Sequence, residues 1–376
     1  LFQRLTDIYG NVPYSEAGLG YYQQIYKPKY DNQETIYKDM IQQVKDGVNL
    51  LNANNPAIDG DLFYDGDINK WKKFGGSLLL RIGMRLSEVA PDLAKQTVAD
   101  AVTIGVMSQP EDICLLRHDG SGKNAFKNPL SFRYLDDNFI ESDAVKIGKT
   151  FMDYLKKTKD PRIHVYCSLK DGNTEFDKQF GLPNGYDSHT IADAPSGSFV
   201  GLENTSNFNI NTILRLDAPT IFLMPSETKL LLAEAVLRNW TNGNAEVLYK
   251  EAITSSMKEQ EIAYGTQGKI TDEEIETYLA QNLFSTANNT EKLQIIGEQY
   301  WVATFINGYE SYANWRRTGY PKLIPTNYSG SMSPGVIPTR LPYPTDEYSI
   351  NRANVDTANQ QQGADKVTTH IWWDID

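Results

Sequence analysis

The sequence contains few of the residues that most often carry metal or disulfide chemistry, with two cysteines and four histidines among 376 residues. Cys114 and Cys167 are too few for a disulfide scaffold and lack the spacing of metal ligands, so we interpret them as small buried residues. The histidines are scattered and form no His-Glu-x-x-His motif, which argues against a zinc hydrolase. The sequence therefore predicts no cofactor.

Long apolar runs and an excess of positive charge are also missing. No stretch approaches the roughly 18 apolar residues that a membrane-spanning helix needs, and no secretory signal opens the chain. Lys and Arg number 36 against 48 Asp and Glu, which gives a formal net charge of −12. Because phosphate binding needs a basic surface, no nucleic-acid partner is expected. Since residues 1–4 have the pattern of a helix interior, we expect a fragment that lacks its natural N-terminus.

Signatures of phosphate binding and of nucleophilic catalysis are incomplete. The segment Gly120–Asn124 lacks both the upstream glycine and the Ser/Thr of a phosphate-binding loop. In Gly197–Gly201 the serine is misplaced for a nucleophile elbow, and we interpret both segments as turns. Paired carboxylates for glycoside hydrolysis stay open as an alternative, because Asp and Glu are plentiful and a sequence does not show their distances.

Four aspartates crowd one loop, at Asp59, Asp61, Asp65 and Asp67. Their spacing does not fit an EF-hand, which needs ligands at alternating positions, a central glycine and a distal glutamate. A calcium site in this loop is left open. We favour a solvated loop that caps the helix after it, since aspartate is a preferred residue at helix N-termini.

Two segments, Lys70–Val102 and Ser226–Ile253, have the pattern of paired antiparallel helices. In the first, apolar residues recur every three or four positions, Pro91 interrupts the pattern, and a second apolar face follows. In both segments small residues alternate with larger ones, and the small ones would let the helix axes approach closely. The small residues are Ala94, Ala101, Ala233, Ala245 and Ala252, and the larger ones are Val98 and Tyr249. This rhythm predicts an all-α scaffold of tetratricopeptide-type helix pairs, which usually bind partners and perform no chemistry.

Helices are also expected outside the pairs. One spans about Gln33–Leu51, with Asp31 and Glu34 as its capping box, and another capping box lies at Thr271–Glu274. A further helix is expected from about Glu291 to Trp315. An extended tail rich in Pro and Tyr then runs through residues 320–348.

Between the pairs lies a different kind of sequence. Residues 109–218 are dense in Gly, Pro, Asn, Asp and Ser, and so long an irregular stretch in a compact protein is usually functional. We predict that this excursion packs against the helical scaffold and carries short strands at Ile163–Leu169 and Ile213–Leu216. The whole chain, residues 1–376, is then one domain.

A series of short motifs follows along the chain. They are Leu5–Tyr14, Lys70–Phe74, Leu80–Leu86, Met224–Glu227 with Leu232–Ala235, Gln299–Trp301, Asn307–Glu310, Asn314–Pro321, Arg340–Pro344 and Trp372–Asp374. Each is weak alone, but their order strongly resembles the SusD/RagB family. Physically, Trp315 and the Arg316-Arg317 pair are expected to tie a helix end to neighbouring carbonyls and carboxylates.

The resemblance implies a fold and a function. Family members are surface-exposed outer-membrane lipoproteins of Bacteroidetes that capture nutrients, chiefly glycans, and deliver them to a SusC-like TonB-dependent transporter. This chain is then expected to bind an oligosaccharide at the cell surface without cleaving it. Members carry a signal peptide, a lipid-attached cysteine and a helical segment before the motif at Gly10–Pro13. None is present here, so the lipid anchor is implied by the resemblance alone.

Two other functions stay open. A peptide- or protein-binding module is favoured by the helix pairs, since a concave helical groove suits an extended chain. An α-helical glycoside hydrolase is the other alternative. Glycan binding without product release, affinity for unglycosylated peptides and formation of reducing ends distinguish the three functions.

The expected binding residues lie in the excursion. Aromatic residues are concentrated among Gly, Asn and Asp between positions 166 and 208, a composition suited to ring stacking beside groups that bind hydroxyls. The predicted ligand-binding residues are Tyr166, Phe176, Phe180, Tyr186 and Phe199. The alternative for each ring is that it packs an irregular segment onto the scaffold.

Overall fold

Helices form every long element of the structure. The computed structural model describes residues 1–52, 59–136, 146–284, 288–328 and 330–375. Its helices are α1 Phe2–Tyr9, α2 Gly20–Gln23, α3 Gln33–Leu50, α4 Ile68–Arg85, α5 Pro91–Ile104, α6 Pro129–Asp136, α7 Lys149–Thr158, α8 Ile163–Tyr166, α9 Pro225–Leu237, α10 Ala245–Tyr264, α11 Asp272–Gln281, α12 Asn289–Ala303, α13 Gly308–Thr318, α14 Thr345–Ile350 and α15 Arg352–Gln362. Its strands are β1 Val12–Pro13, β2 Tyr30–Asp31, β3 Cys114–Leu116, β4 Cys167–Ser168, β5 Asn207–Phe208 and β6 Thr220–Leu223. The predicted all-α class is confirmed.

Both predicted helix pairs are confirmed. Helix α4 packs along α5, and α9 packs along α10. Small residues lie at these contacts: Ala94 and Ala233 have no exposed surface, and a Cβ atom at Gly76 would lie 2.0 Å from the carbonyl oxygen of Gly105. Helix α3 lies against α4, α4 contacts α9, and α12 lies against α9 and α13. The pairs therefore join into one tetratricopeptide-type scaffold.

Overpacking at either pair should destabilise the fold. A Cβ atom at Gly83 would lie 2.9 Å from Thr97 of the partner helix, so Gly83→Trp must push the helices apart. We expect Gly83→Trp and Ala233→Trp each to lower the free energy of unfolding by about 1–3 kcal/mol, measured by urea denaturation. Gly47→Trp is the control, because the Cβ position of this exposed glycine on α3 has no neighbour within 4 Å. Equal losses in all three variants would contradict the assigned interfaces.

The excursion carries short strands, but only one lies within a predicted segment. Strand β3 pairs antiparallel with β6, and β4 pairs antiparallel with β5. In the predicted strand Ile163–Leu169 only Cys167–Ser168 is extended, because residues 163–166 form the helical turn α8. The prediction at Ile213–Leu216 is wrong. There the backbone N–H of Leu214 donates to the carbonyl of Asn209, so the chain closes into turns, and the carbonyls of Ile213 and Leu216 accept from Ser131 and Asn128.

A buried arginine fastens the excursion to the scaffold. Arg162 has no exposed surface and donates two hydrogen bonds to Asp160, at 2.9 and 2.6 Å. Its remaining N–H groups reach Ser256 on α10 at 2.9 Å and Gln299 on α12 at 2.8 Å. Every partner accepts from a fixed guanidinium plane, so the position of the excursion is defined relative to two scaffold helices.

Two helix predictions need correction. The helix expected at Glu291–Trp315 is two helices, since the chain turns at residues 304–307 before α13 begins at Gly308. Asparagine and glycine at positions 307 and 308 favour such a break, because both are weak helix formers. The N-cap of α3 is Asn32, which accepts from the N–H of Thr35, and not Asp31. The capping box at Thr271–Glu274 is confirmed.

Five charged residues from the sequence motifs meet in what we call the buried ionic cluster. Arg81 Nη2 donates to Glu227 Oε2 at 2.9 Å, and Arg85 Nη2 donates to Glu310 Oε1 at 2.5 Å. Arg85 Nε also lies 3.4 Å from Asp7 Oδ2. Each of the five side chains is less than 10% exposed. The cluster connects α1, α4, α9 and α13, so these motif residues serve the scaffold.

Candidate ligand-binding surface

Tyr166, one of the five predicted binding residues, is buried. Its side chain is 1% exposed, and its hydroxyl donates to the carbonyl of Val302 at 3.3 Å. Its ring centroid lies 5.0 Å from that of Phe305 and 6.4 Å from that of Phe151. A ring enclosed in this way has no face for a ligand. The prediction for Tyr166 is therefore wrong, and its role is to pack the excursion onto the scaffold.

Phe176 and Phe180 are both accessible in part. Phe176 is half-buried in the wall of a cleft of ≈ 680 Å³ between α8 and α11. Phe180 is 40% exposed, and the Lys156 ammonium lies 4.2 Å from its ring centroid. That cation–π contact covers one face of the Phe180 ring. Phe180 is thus the more exposed of the two side chains, and both stay predicted binding residues.

Tyr186 and Phe199 lie in half-buried positions on the excursion. The loop of Tyr186 meets the C-terminal tail, because Asp187 accepts a hydrogen bond from the Tyr328 hydroxyl at 2.6 Å. Hydrogen bonds from Tyr328 and from the Thr190 and His189 backbone hold the pKa of Asp187 well below its usual range. This contact links the excursion to the tail. Tyr186 and Phe199 stay predicted binding residues.

A cavity rich in aromatic residues lies elsewhere, where scaffold, excursion and tail meet. We call it the aromatic groove: a cavity of ≈ 340 Å³ lined by Phe151, Trp301, Phe305, Gly308, Ser311, Tyr312, Trp315, Pro321, Leu323 and Ile337. The rings of Phe151 and Phe305 are stacked, with centroids 4.3 Å apart and planes 3° apart. Tyr312 and Trp315 lie nearly parallel, at 6.2 Å and 15°. Flat rings around a small cavity suit a ligand with flat apolar faces.

The break between α12 and α13 creates this groove. Trp301 lies in the last turn of α12, Phe305 lies in the break, and Tyr312 and Trp315 are three residues apart on α13. The sequence predicted one continuous helix here and assigned Trp315 a structural role, so the groove was missed. The available signal was the density of aromatic residues between positions 300 and 320.

The arginines of the same motif have the expected structural role. Arg317 donates to both carboxylate oxygens of Glu234, at 2.6 and 2.7 Å. Arg316 donates to the carbonyl of Thr339 at 2.8 Å, and its guanidinium lies 4.1 Å from the Tyr312 ring centroid. Arg316 thus supports one aromatic wall of the groove from behind and ties α13 to the tail.

The acidic loop caps a helix. Asp67 is the N-cap of α4 and accepts from the N–H groups of Asn69 and Lys70. Asp61 accepts from the backbone of Gly66 at 2.9 Å and from the Trp71 indole at 2.8 Å. Among the residues that the structure describes, no group of three or more His, Cys, Asp or Glu is placed to hold a metal ion. The favoured reading of this loop, a helix cap, is confirmed.

Two further findings bear on chemistry and location. The described residues that line the aromatic groove include no Asp or Glu. In the described part of the chain, no helix combines the length and the hydropathy needed to cross a membrane.

A SusD-like family model, described as starch-binding and associating with the outer membrane, matches residues 1–344. The chain therefore belongs to the SusD-like family. The resemblance seen in the motifs is thereby confirmed. No protein with a curated description matches the chain.

Solved structures extend this result. A chitin-binding protein superposes with a TM-score of 0.84 at 33% identity, covering 100% of this chain and 78% of its own. A SusD-like protein of Bacteroidetes AC2a gives a TM-score of 0.83 at 27% identity, covering 100% and 81%. A chitin-binding SusD homologue from Flavobacterium johnsoniae gives 0.82 at 25% identity, covering 100% and 78%. The helix-pair architecture is thus that of SusD homologues.

Proposed function

We propose that this protein captures an extracellular oligosaccharide and releases it intact. The observation that carries the proposal is the similarity to a chitin-binding protein, 33% identical over the full length of this chain. A second structural relative is also described as chitin-binding. Oligosaccharides of β-1,4-linked N-acetylglucosamine are therefore the first ligands to test.

The aromatic groove suits such a ligand. A pyranose ring has an apolar C–H face that stacks on an aromatic ring, and an acetamido methyl group gains from an apolar cavity. Trp315 is half-buried, and Ser311, whose hydroxyl donates to the carbonyl of Thr304 at 2.9 Å, lines the same cavity. Tyr186 and Phe199, on the excursion, are proposed as additional stacking residues. The absence of carboxylates among the described groove residues supports binding without bond cleavage.

Location and delivery are part of the same proposal. The matching family is described as associating with the outer membrane. We infer that a lipid anchor preceding this segment holds the protein at the cell surface. A SusC-like TonB-dependent transporter then takes up the bound oligosaccharide. The support for the anchor and the transporter is the family resemblance.

Loss of a groove ring should weaken glycan binding. We expect Trp315→Ala to reduce affinity for chitotetraose by roughly tenfold or more, with partial recovery in Trp315→Phe, because a stacked ring removes apolar sugar surface from water. Tyr309→Ala is the control, since Tyr309 lies on the same helix, is 56% exposed and does not line the groove. Affinity by calorimetric titration and melting temperature are measured for each of these variants. The same two measurements are made for Tyr186→Ala and Phe199→Ala, which test the stacking residues proposed on the excursion.

The same screen separates the competing functions. Cellotetraose and maltotetraose test whether the acetamido group is needed, and a set of unglycosylated peptides tests the helical groove as a peptide site. Formation of reducing ends during incubation would show a hydrolase. Full glycan binding in Trp315→Ala would show that the binding site lies outside the groove. Binding of peptides alone would overturn the proposal of glycan capture.

A further inference from the structure

A second aromatic surface lies far along the sequence from the groove. Residues 18–29, which we call the tyrosine loop, connect strands β1 and β2. Tyr21, Tyr22 and Tyr26 are 89%, 81% and 73% exposed, which places them among the most exposed large rings of the described chain. Single exposed apolar residues are normal on protein surfaces, but three aromatic rings within six positions are a patch.

The loop is fastened at its base. Strands β1 and β2 pair antiparallel, and Glu16 accepts a hydrogen bond from the backbone N–H of Lys29 at 2.8 Å. From the C-terminal helices, Asn351 donates to the carbonyl of Pro28 at 2.8 Å and Asn354 donates to the carbonyl of Lys27 at 3.0 Å. These bonds hold residues 27–29, the end of the loop next to Tyr26, against the start of α15 and against Glu16.

The rings of the tyrosine loop contact one another and the loop backbone. Tyr21 and Tyr22 meet edge to face, with centroids 5.1 Å apart. Tyr26 lies over the backbone of Gly20, since a Cβ atom at Gly20 would be 3.5 Å from the Tyr26 ring. One face of Tyr26 is thus supported while the side chain stays 73% exposed. A ring supported from behind loses little freedom when a ligand stacks on its outer face.

The chemistry of the loop favours a sugar over a protein partner. Its aliphatic residues, Leu19 and Ile25, are half-buried, so the exposed surface lacks the aliphatic area of a protein interface core. Exposed Gln23 and Gln24 offer neutral donors and acceptors beside the rings. The loop sequence contains no Asp or Glu although the chain has a net charge of −12. Lys27 and Lys29 are exposed in the same loop, and lysine is depleted at protein interfaces.

We propose that the tyrosine loop is a second glycan contact, separate from the groove, which engages a distant part of the same polysaccharide chain. The inference rests on the proposed glycan capture and adds to it a preference for polymers. Once one segment of a polymer is held in the groove, contact at the loop becomes intramolecular, and overall affinity rises with no new contact in the groove. A short oligosaccharide that occupies only the groove gains nothing from the loop.

The test compares a polymer with a short ligand. We use the triple variant Tyr21→Ala, Tyr22→Ala, Tyr26→Ala, with the triple Tyr→Phe variant to retain the ring faces and Tyr309→Ala as an exposed-ring control. Retention on colloidal chitin and affinity for chitotriose are measured for each. We expect the alanine variant to lose roughly tenfold or more in retention on the polymer with unchanged affinity for chitotriose. The phenylalanine variant should retain most of the polymer binding.

Each other outcome overturns the inference in a distinguishable way. Equal loss of polymer and chitotriose binding would make the loop part of the primary site. No loss of either would remove the loop from glycan binding. A wild-type dimer that the alanine variant converts to a monomer, seen by light scattering, would assign the rings to a protein interface. If wild-type protein binds no glycan of the screen, polymer or oligomer, the proposed function itself fails.

Discussion

Replacing Glu310 by alanine is expected to lower the free energy of unfolding by about 3–5 kcal/mol. Glu310 is 5% exposed, and it accepts a hydrogen bond from Arg85 at 2.5 Å while lying 3.7 Å from Arg81. The Tyr300 hydroxyl lies 2.8 Å from the same carboxylate. Burial raises the pKa of Glu310, but Arg85 and Arg81 outweigh it and hold the pKa below its usual range. Removing this carboxylate leaves two buried guanidinium groups short of a counter-charge.

The measurement is urea denaturation of the wild type and three variants, Glu310→Ala, Glu310→Gln and Glu34→Ala. Glu34→Ala removes an exposed carboxylate that pairs with Lys38 at 2.6 Å, and such a pair contributes about 0.5 kcal/mol or less. Glu310→Gln keeps the shape and an acceptor but loses the charge, so its stability should fall between those of Glu310→Ala and wild type. Similar midpoints for Glu310→Ala and Glu34→Ala would show that the buried ionic cluster does not hold the helices together.

The scaffold could be predicted because its signals are local. Small residues at helical spacing fix how closely two neighbouring helices approach, and Ala94 and Ala233 are fully buried as that spacing requires. The motif residues were expected to be structural, and Arg317 with its bidentate bond to Glu234 confirms this. Their convergence in one cluster was not predicted, because Asp7 and Glu310 are three hundred residues apart and only the fold brings them together.

Strands and binding rings were harder to predict, because they too depend on contacts between residues that are distant in the sequence. Composition identifies an irregular segment but does not show which rings face inward, so Tyr166 was expected at the surface and is buried. The groove needs Phe151 from the excursion and Leu323 from the tail, a contact that no local pattern encodes. The tyrosine loop follows the motif Leu5–Tyr14, which indicated the family but gave no information about the exposure of the rings after it.

Glu259 should make stability depend on pH in a direction opposite to that of an ordinary ion-paired carboxylate. It lies inside the second helix pair, 1% exposed, where it accepts from the backbone N–H of Ser226 at 2.8 Å and from its hydroxyl at 2.6 Å. Burial raises the pKa of Glu259 from 4.5 to about 7, against the lowering effect of Ser226 and Lys229 and with a small raising effect of Glu227. The folded state therefore binds this proton more tightly than the unfolded state.

The contribution of Glu259 to stability is then fully present below pH 4.5 and is lost as the pH rises through about 7. Glu259→Gln, which mimics the protonated form, should be about as stable as wild type at acidic pH and more stable above neutrality, by on the order of 3 kcal/mol at most. Ser226→Ala removes a hydroxyl that stabilises the charged form, so its stability should fall more steeply with pH than that of wild type. Unfolding free energies across this range test both variants, and parallel pH profiles for all three proteins would contradict the prediction. A helix pair that keeps an unpaired carboxylate in its core holds it best as the neutral acid, because two hydrogen bonds from Ser226 do not replace the water that burial removes.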